Sequence, residues 1–164
     1  MTLPNYRTLS LITAAGCAAL IVIAVAYFQN YLGLEPCYLC VTQRVFIIAV
    51  GITCALAALH NPQRIGQRIY AVLMVLLAIT GAFFSGKQLW LQSLPEDRIP
   101  TCGPPVDYLF DAFPVSEVIA MLLRGDGNCA KIQWELLSIS MPGWVLLAFI
   151  ALTLIGAFQF LRRP

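Results

Sequence analysis

Charged residues are scarce in this chain of 164 residues, of which aspartate, glutamate, lysine and arginine together make up 11%. Soluble globular domains are about a quarter charged. Hydrophobic residues make up 60% of the chain, which excludes an ordinary soluble domain and indicates a membrane protein with one domain over residues 1–164. The formal net charge of +2 is small and the basic residues are dispersed, so no nucleic-acid partner is expected.

Four apolar stretches are long enough to cross a membrane, since a transmembrane helix needs about 20 residues. They run over about residues 9–28, 41–59, 69–90 and 144–161. These stretches predict an all-α membrane protein built as a four-helix transmembrane bundle. The first could instead be a cleaved signal peptide, because Ala24-Val25-Ala26 resembles a cleavage site. Its apolar run is longer than the roughly 7–15 residues of a signal core, so we expect it to be retained.

The basic residues near the span ends predict the orientation, because cytoplasmic ends are enriched in lysine and arginine. Five of them fall on one side: Arg7, Arg64, Arg68, Arg162 and Arg163. Segment 91–141 carries three basic and seven acidic residues. Both termini are therefore expected in the cytoplasm. The short loop (about 29–40) and the long loop (about 91–143) are expected on the outer face. In a bacterium this means the inner membrane with both loops in the periplasm, where disulfides persist.

The long loop exceeds a simple connection, and such loops in compact proteins are commonly functional. Prolines exclude a regular helix across its first half. They are Pro95, Pro100, Pro104, Pro105 and Pro114. From Val115 to Leu123, apolar residues recur at helical spacing, and Gly125 can end a helix. We predict a short interfacial helix there, lying on the membrane surface. Packing against the protein itself is the alternative.

Four of the six cysteines fall in the two outer loops, in pairs. Cys37 and Cys40 form a Cys-x-x-Cys motif just before the second span, and Cys102 and Cys129 lie in the long loop. A Cys-x-x-Cys motif is compatible with zinc binding, a structural staple or electron exchange. Zinc needs four close ligands, whereas the second pair is widely spaced and the only histidine, His60, is on the other face. We therefore expect no metal site.

The two remaining cysteines, Cys17 and Cys54, fall inside spans and are expected to act as small hydrophobic residues. Cys40 falls near the N-terminus of the second span, where unpaired N–H groups carry partial positive charge. Arg44 lies one helical turn further on the same face and keeps its charge. Both features favour a thiolate at Cys40. Arg44 alone could be an interfacial anchor, but beside this motif we interpret it as part of a redox site.

Several motifs resemble the DsbB family, membrane oxidants that reduce quinone and regenerate a thioredoxin-fold disulfide donor. The resemblance covers nearly the whole chain. Its motifs are Pro36-Cys37-Tyr38-Leu39-Cys40 followed by Gln43-Arg44, then Gly86-Lys87-Gln88-Leu89, Cys129-Ala130, Gln133-Trp134 and Met141-Pro142-x-Trp144. One departure is that the stretch from Trp90 to Cys102 lacks the histidine found in some members.

The resemblance implies a thiol:quinone oxidoreductase that reoxidises a periplasmic DsbA-like protein and so supports disulfide bond formation. It implies two redox-active disulfides, Cys37–Cys40 and Cys102–Cys129. It further implies that the donor attacks at Cys102 and that the freed Cys129 attacks Cys37. Cys40 would then leave as a thiolate beside Arg44 and pass electrons to ubiquinone or menaquinone.

Gln88 lies near the outer end of the third span and is a further candidate to hydrogen-bond a quinone carbonyl. It could equally only solvate the span end. Two rival functions are compatible with the composition. A structural or channel-like protein with stapled loops predicts that Cys40→Ser keeps its function. A carrier of reducing power across the membrane would need a Cys-x-x-Cys motif on the cytoplasmic face, which this sequence lacks.

Overall fold

Four long helices dominate the structure, a computed structural model that describes residues 5–162 except for the side chains of residues 107 and 110. Within this range four helices are long and apolar enough to cross a membrane. The first, α1 (Tyr6–Val22), continues as a π-helical segment (Ile23–Tyr31). The others are α2 (Tyr38–His60), α3 (Arg64–Gln92) and α6 (Met141–Leu161). The predicted all-α four-span bundle is confirmed. Arg163, one of the five basic residues that predicted the membrane orientation, lies outside the described residues.

Each of the four helices begins before the apolar run that predicted it. The length of an apolar run reflects the thickness of the hydrocarbon layer of the membrane, whereas the helix itself continues into the polar interface. The difference matters most in α2, which begins at Tyr38 with Cys37 as its N-cap. The whole Cys-x-x-Cys motif therefore belongs to the first turn of this helix.

The core of the bundle depends on small residues where α3 and α6 meet. Phe149 of α6 is completely buried and its ring lies against Gly81 of α3. A Cβ at Gly81 would overlap with this ring. The outside of the bundle is apolar, as at the exposed Ile52, Phe83 and Leu154, which suits contact with lipid.

We expect Gly81→Ala to destabilise the bundle, because overpacking a core costs about 1–3 kcal/mol and the Phe149 ring has no exposed side to move toward. Gly86→Ala is the matched control on the same helix, since a Cβ there meets nothing within 4 Å. Thermal unfolding in detergent micelles, followed by circular dichroism, should give a lower midpoint for the first variant only. Equal midpoints would contradict this account of the packing.

The long loop contains more regular structure than its prolines suggested. The helix α4 (Val106–Ala112) begins after Pro105, its N-cap, and ends before Pro114. The prolines exclude only a helix across the whole of this half. A short one fits between Pro105 and Pro114, because proline is tolerated at helix boundaries. A two-stranded antiparallel hairpin, β1 (Glu135–Leu136) and β2 (Ile139–Ser140), was not foreseen.

The predicted short helix is present as α5 (Val115–Arg124) and ends at Gly125, whose φ of +75° favours glycine. It packs on the bundle. Thr42 Oγ1 donates to the Leu122 carbonyl at 3.1 Å, and Val118 is buried. Val115 and Ile119, on the same apolar face, are exposed. Part of this face thus contacts protein, and the rest is available to a membrane surface.

Candidate redox site

The Cys-x-x-Cys motif places two sulfur atoms side by side at the N-terminus of α2. Cys37 and Cys40 are both thiols, with their sulfurs 2.9 Å apart. A disulfide has a sulfur–sulfur distance of about 2.05 Å, so the pair can be oxidised with little movement. Cys40 lies in the first helical turn, where unpaired backbone N–H groups favour negative charge.

The long loop brings a third cysteine to this pair. Cys129 is completely buried and lies in a 3₁₀ turn, Gly127–Ala130. It packs with Cys37 in one buried cluster. Its interaction with Cys37, then that of Cys40, and then burial raise the pKa of the Cys37 thiol. The contact joins the two cysteine-bearing loops although their sequences are far apart.

The fourth cysteine, Cys102, is exposed and lies beside the same 3₁₀ turn. A Cβ added at Gly127 would meet its sulfur at 3.2 Å. All six cysteines are thiols here, and the pairing of Cys102 with Cys129 stays a prediction. Within the described residues, which include every cysteine, no three His, Cys, Asp or Glu side chains are grouped so as to hold a metal ion.

A buried carboxylate fastens the segment after Cys102 to the turn that carries Cys129. Asp126 is 4% exposed. Its Oδ2 accepts hydrogen bonds from the Gly103 N–H at 2.9 Å and from Asn128 Nδ2 at 2.7 Å. Its Oδ1 accepts the Cys129 thiol at 3.3 Å. Asp126 therefore sets the position of both cysteines of the long loop.

A tyrosine inside the Cys-x-x-Cys motif fastens the same loop to α2. The Tyr38 hydroxyl donates to the Pro104 carbonyl at 2.6 Å, and a Cβ at Gly103 would overlap with that hydroxyl. Sequence reasoning missed the roles of both Asp126 and Tyr38. The only available signal was their position next to cysteines, since both contact residues distant in sequence.

Gln88 of α3 lies against the cysteine pair. Its Nε2 is 3.3 Å from the Cys37 sulfur and 3.4 Å from the Cys40 sulfur. Its Oε1 accepts a hydrogen bond from Gln43 Nε2 at 2.8 Å. Both glutamines are buried. Gln43 appeared in the sequence only as part of a motif, and its contact with Gln88 was not foreseen.

Two large cavities adjoin the cysteine pair, besides a small one of about 20 Å³ that both cysteines line. The polar cavity, of about 420 Å³, is bordered by Cys37 and by polar side chains that include Glu35, Asn128 and Gln133. The apolar cavity, of about 470 Å³, lies between α1, α2 and α6 and is bordered by Cys40. Its other lining residues include Phe28, Gln43, Ile47, Trp134 and Val145. The two cysteines thus border different large cavities.

Arg44 borders both cavities. Its guanidinium donates to Gln29 Oε1 at 2.8 Å and to the Ala24 carbonyl at 3.2 Å. These acceptors belong to the π-helical segment that continues α1. Gln88, in contrast, is not among the residues that line the apolar cavity, and its predicted contact with a quinone is untested.

Known proteins are similar to this chain over nearly its whole length. The family model described as "Disulfide bond formation protein DsbB" matches residues 6–159. The chain belongs to the DsbB family. A relative from Saccharophagus degradans named disulfide bond formation protein B is 48% identical, over 98% of this chain and 96% of its own length. A namesake from Methylococcus capsulatus is 44% identical, over 99% and 96%. Disulfide bond formation protein B 1 of Pseudomonas aeruginosa is 43% identical, over 99% of both chains.

Membership of the DsbB family confirms the resemblance stated from the sequence. The chain is a multi-pass membrane protein. It is an oxidoreductase that takes part in disulfide bond formation.

Proposed function

We propose that this DsbB-family chain reoxidises a DsbA-like thioredoxin-fold protein and passes the electron pairs to a membrane quinone. One observation supports this most strongly. The sulfurs of Cys37 and Cys40 lie 2.9 Å apart, yet Cys37 borders the polar cavity and Cys40 the apolar one. A disulfide there joins a polar space to a lipid-like one. The proposal treats residues 1–164 as one domain in a bacterial inner membrane, with both termini cytoplasmic and the cysteine loops periplasmic.

The first step is exchange at the long loop. The donor's thiolate attacks Cys102 in a Cys102–Cys129 disulfide, forming a mixed disulfide at Cys102 and releasing Cys129 as a thiolate. The exposure of Cys102 and the burial of Cys129 suit these roles, because exchange rates depend on access to the attacked sulfur. The second thiolate of the donor then attacks its own mixed disulfide. The oxidised donor leaves, and Cys102 is left reduced.

The second step is exchange between the two loops. The Cys129 thiolate attacks Cys37 in the Cys37–Cys40 disulfide, and Cys40 leaves as a thiolate. The packing of Cys129 and Cys37 in one buried cluster supports this order, since it already brings the attacking cysteine to the attacked one. Attack by Cys102 on the resulting Cys37–Cys129 disulfide restores the loop disulfide and leaves Cys37 and Cys40 reduced.

The third step moves the electron pair to the lipid-soluble acceptor. Cys40 and Arg44 border the apolar cavity, whose volume falls within the roughly 300–1,000 Å³ of small-molecule sites. A ubiquinone or menaquinone supplies a two-electron acceptor that also takes up two protons. Arg44 keeps its positive charge and so favours the Cys40 thiolate and any negative charge that develops in the cavity. The disulfide Cys37–Cys40 is restored.

A high-potential acceptor follows from the nature of the donor. DsbA-like proteins are strong oxidants, so ordinary thiol exchange reoxidises them unfavourably. Each 30 mV corresponds to about 1.4 kcal/mol for a two-electron couple. A quinone dissolved in the bilayer meets this need, and the apolar cavity gives it a place beside Cys40.

The purified protein, given a reduced DsbA-like donor and a water-soluble quinone analogue, should consume one quinone per donor oxidised. Quinone absorbance and donor thiol content, followed together, measure this ratio. Reactions that lack either the protein or the donor are the controls and should show no reduction above background. The proposal is overturned if a competent donor gives no reduction with either ubiquinone-type or menaquinone-type analogues.

A further inference from the structure

The side-chain amide of Gln88 is held in one orientation between the two sulfurs. Gln88 is 3% exposed, so its amide cannot exchange protein partners for water. Gln43 Nε2 donates to its Oε1 at 2.8 Å. The amide oxygen is therefore directed at Gln43, with the Cys40 thiol a more distant donor to it at 3.7 Å. The NH₂ group is directed at Cys37 and Cys40, at 3.3 and 3.4 Å.

An amide NH₂ group has two hydrogens to donate, and two sulfurs lie within its reach. Hydrogen bonds to ionised acceptors are stronger than those between neutral groups. A reduced pair with a thiolate is therefore a better acceptor for this amide than a neutral disulfide. Arg44 does not compete with the amide for the sulfurs, because its guanidinium donates to Gln29 and the Ala24 carbonyl.

We propose that Gln88 is a positioning residue that makes the Cys37–Cys40 disulfide a stronger oxidant, with its amide oriented by Gln43. The proposal rests on the proposed function only in taking this pair as redox-active. Donation from Gln88 stabilises the reduced pair more than the disulfide and so raises the reduction potential. Gln43 also borders the apolar cavity, so the amide pair connects the sulfurs to that cavity.

The test measures the equilibrium between the Cys37–Cys40 disulfide and glutathione redox buffers. The other redox pair is removed by Cys102→Ser and Cys129→Ser in every sample, and the reduced fraction is read by thiol alkylation. Gln88→Leu should shift the equilibrium roughly tenfold toward the disulfide, which corresponds to about 30 mV. Gln43→Leu should shift it in the same direction by a smaller factor, since it only frees the amide to rotate.

Gln67→Leu is the matched control, because this glutamine lies at the opposite end of α3 and donates to the Pro62 carbonyl. It should leave the equilibrium unchanged. Circular dichroism checks that each variant is folded, and Gln43→Leu decides the outcome if Gln88→Leu does not fold. An unchanged equilibrium in folded Gln88→Leu overturns the proposal. If Gln88→Leu leaves the equilibrium unchanged but raises the KM for quinone, the amide contacts quinone instead.

Neither quinone nor a donor protein is needed for this equilibrium. Failure of the proposed electron transfer to quinone would therefore leave a shift in the glutathione equilibrium intact. Conversely, an unchanged equilibrium would leave the proposed transfer to quinone standing.

Discussion

Cys40→Ser is expected to reduce quinone no faster than the reaction without protein, and to accumulate a Cys37–Cys129 disulfide. Without Cys40, no thiolate faces the apolar cavity. Cys37 loses its exchange partner but remains packed with Cys129 in one buried cluster. Its thiolate can then attack Cys129 in the loop disulfide and release Cys102. Quinone absorbance measures the first effect, and peptide mapping under non-reducing conditions measures the second.

The matched control for this experiment is Cys54→Ser, the same substitution in the same helix. Cys54 is buried in the membrane-spanning part of α2, with its sulfur 3.6 Å from that of Met74. We expect it to keep full activity and the normal linkage pattern. Substantial quinone reduction by Cys40→Ser would show that the disulfide at α2 only staples the loop, as the structural rival requires.

Arg44→Met should lower kcat/KM for quinone by about 10²–10³-fold, the usual effect of removing one group that stabilises developing charge. Methionine keeps much of the apolar length of the side chain and removes the charge. Arg44 also links α2 to the π-helical segment through Gln29 and Ala24, so some stability is lost as well. Steady-state kinetics with varied quinone, alongside thermal unfolding, separate the two effects.

Arg68→Met is the control for Arg44→Met. This arginine lies near the N-terminus of α3, away from the cysteines, with its guanidinium 5.6 Å from the centre of the Phe160 ring. The variant removes an equal charge and a packing contact. It should therefore lose stability without losing kcat/KM. A matching loss of activity in both variants would attribute the effect of Arg44 to folding alone.

The features that could be predicted from sequence are those that depend on short spacings. Apolar runs gave the four spans, and the helical repeat placed Cys40 and Arg44 on one face of α2. The burial and contacts of Asp126 could not be predicted, because they involve Gly103, which is distant in sequence. Gln88 shows the same limit. Its helix was predictable, but not the rotation that directs its amide at the sulfurs rather than into the apolar cavity.

The position of Arg44 between the polar and the apolar cavity has a consequence for how the site keeps water and lipid apart. Arg44 belongs to the lining of both spaces. In the proposed function the electron pair would cross beside it, through the sulfurs of Cys37 and Cys40. We therefore expect Arg44→Ala to open the apolar cavity toward the polar one as well as to remove the charge, so that water reaches Cys40 from the polar side.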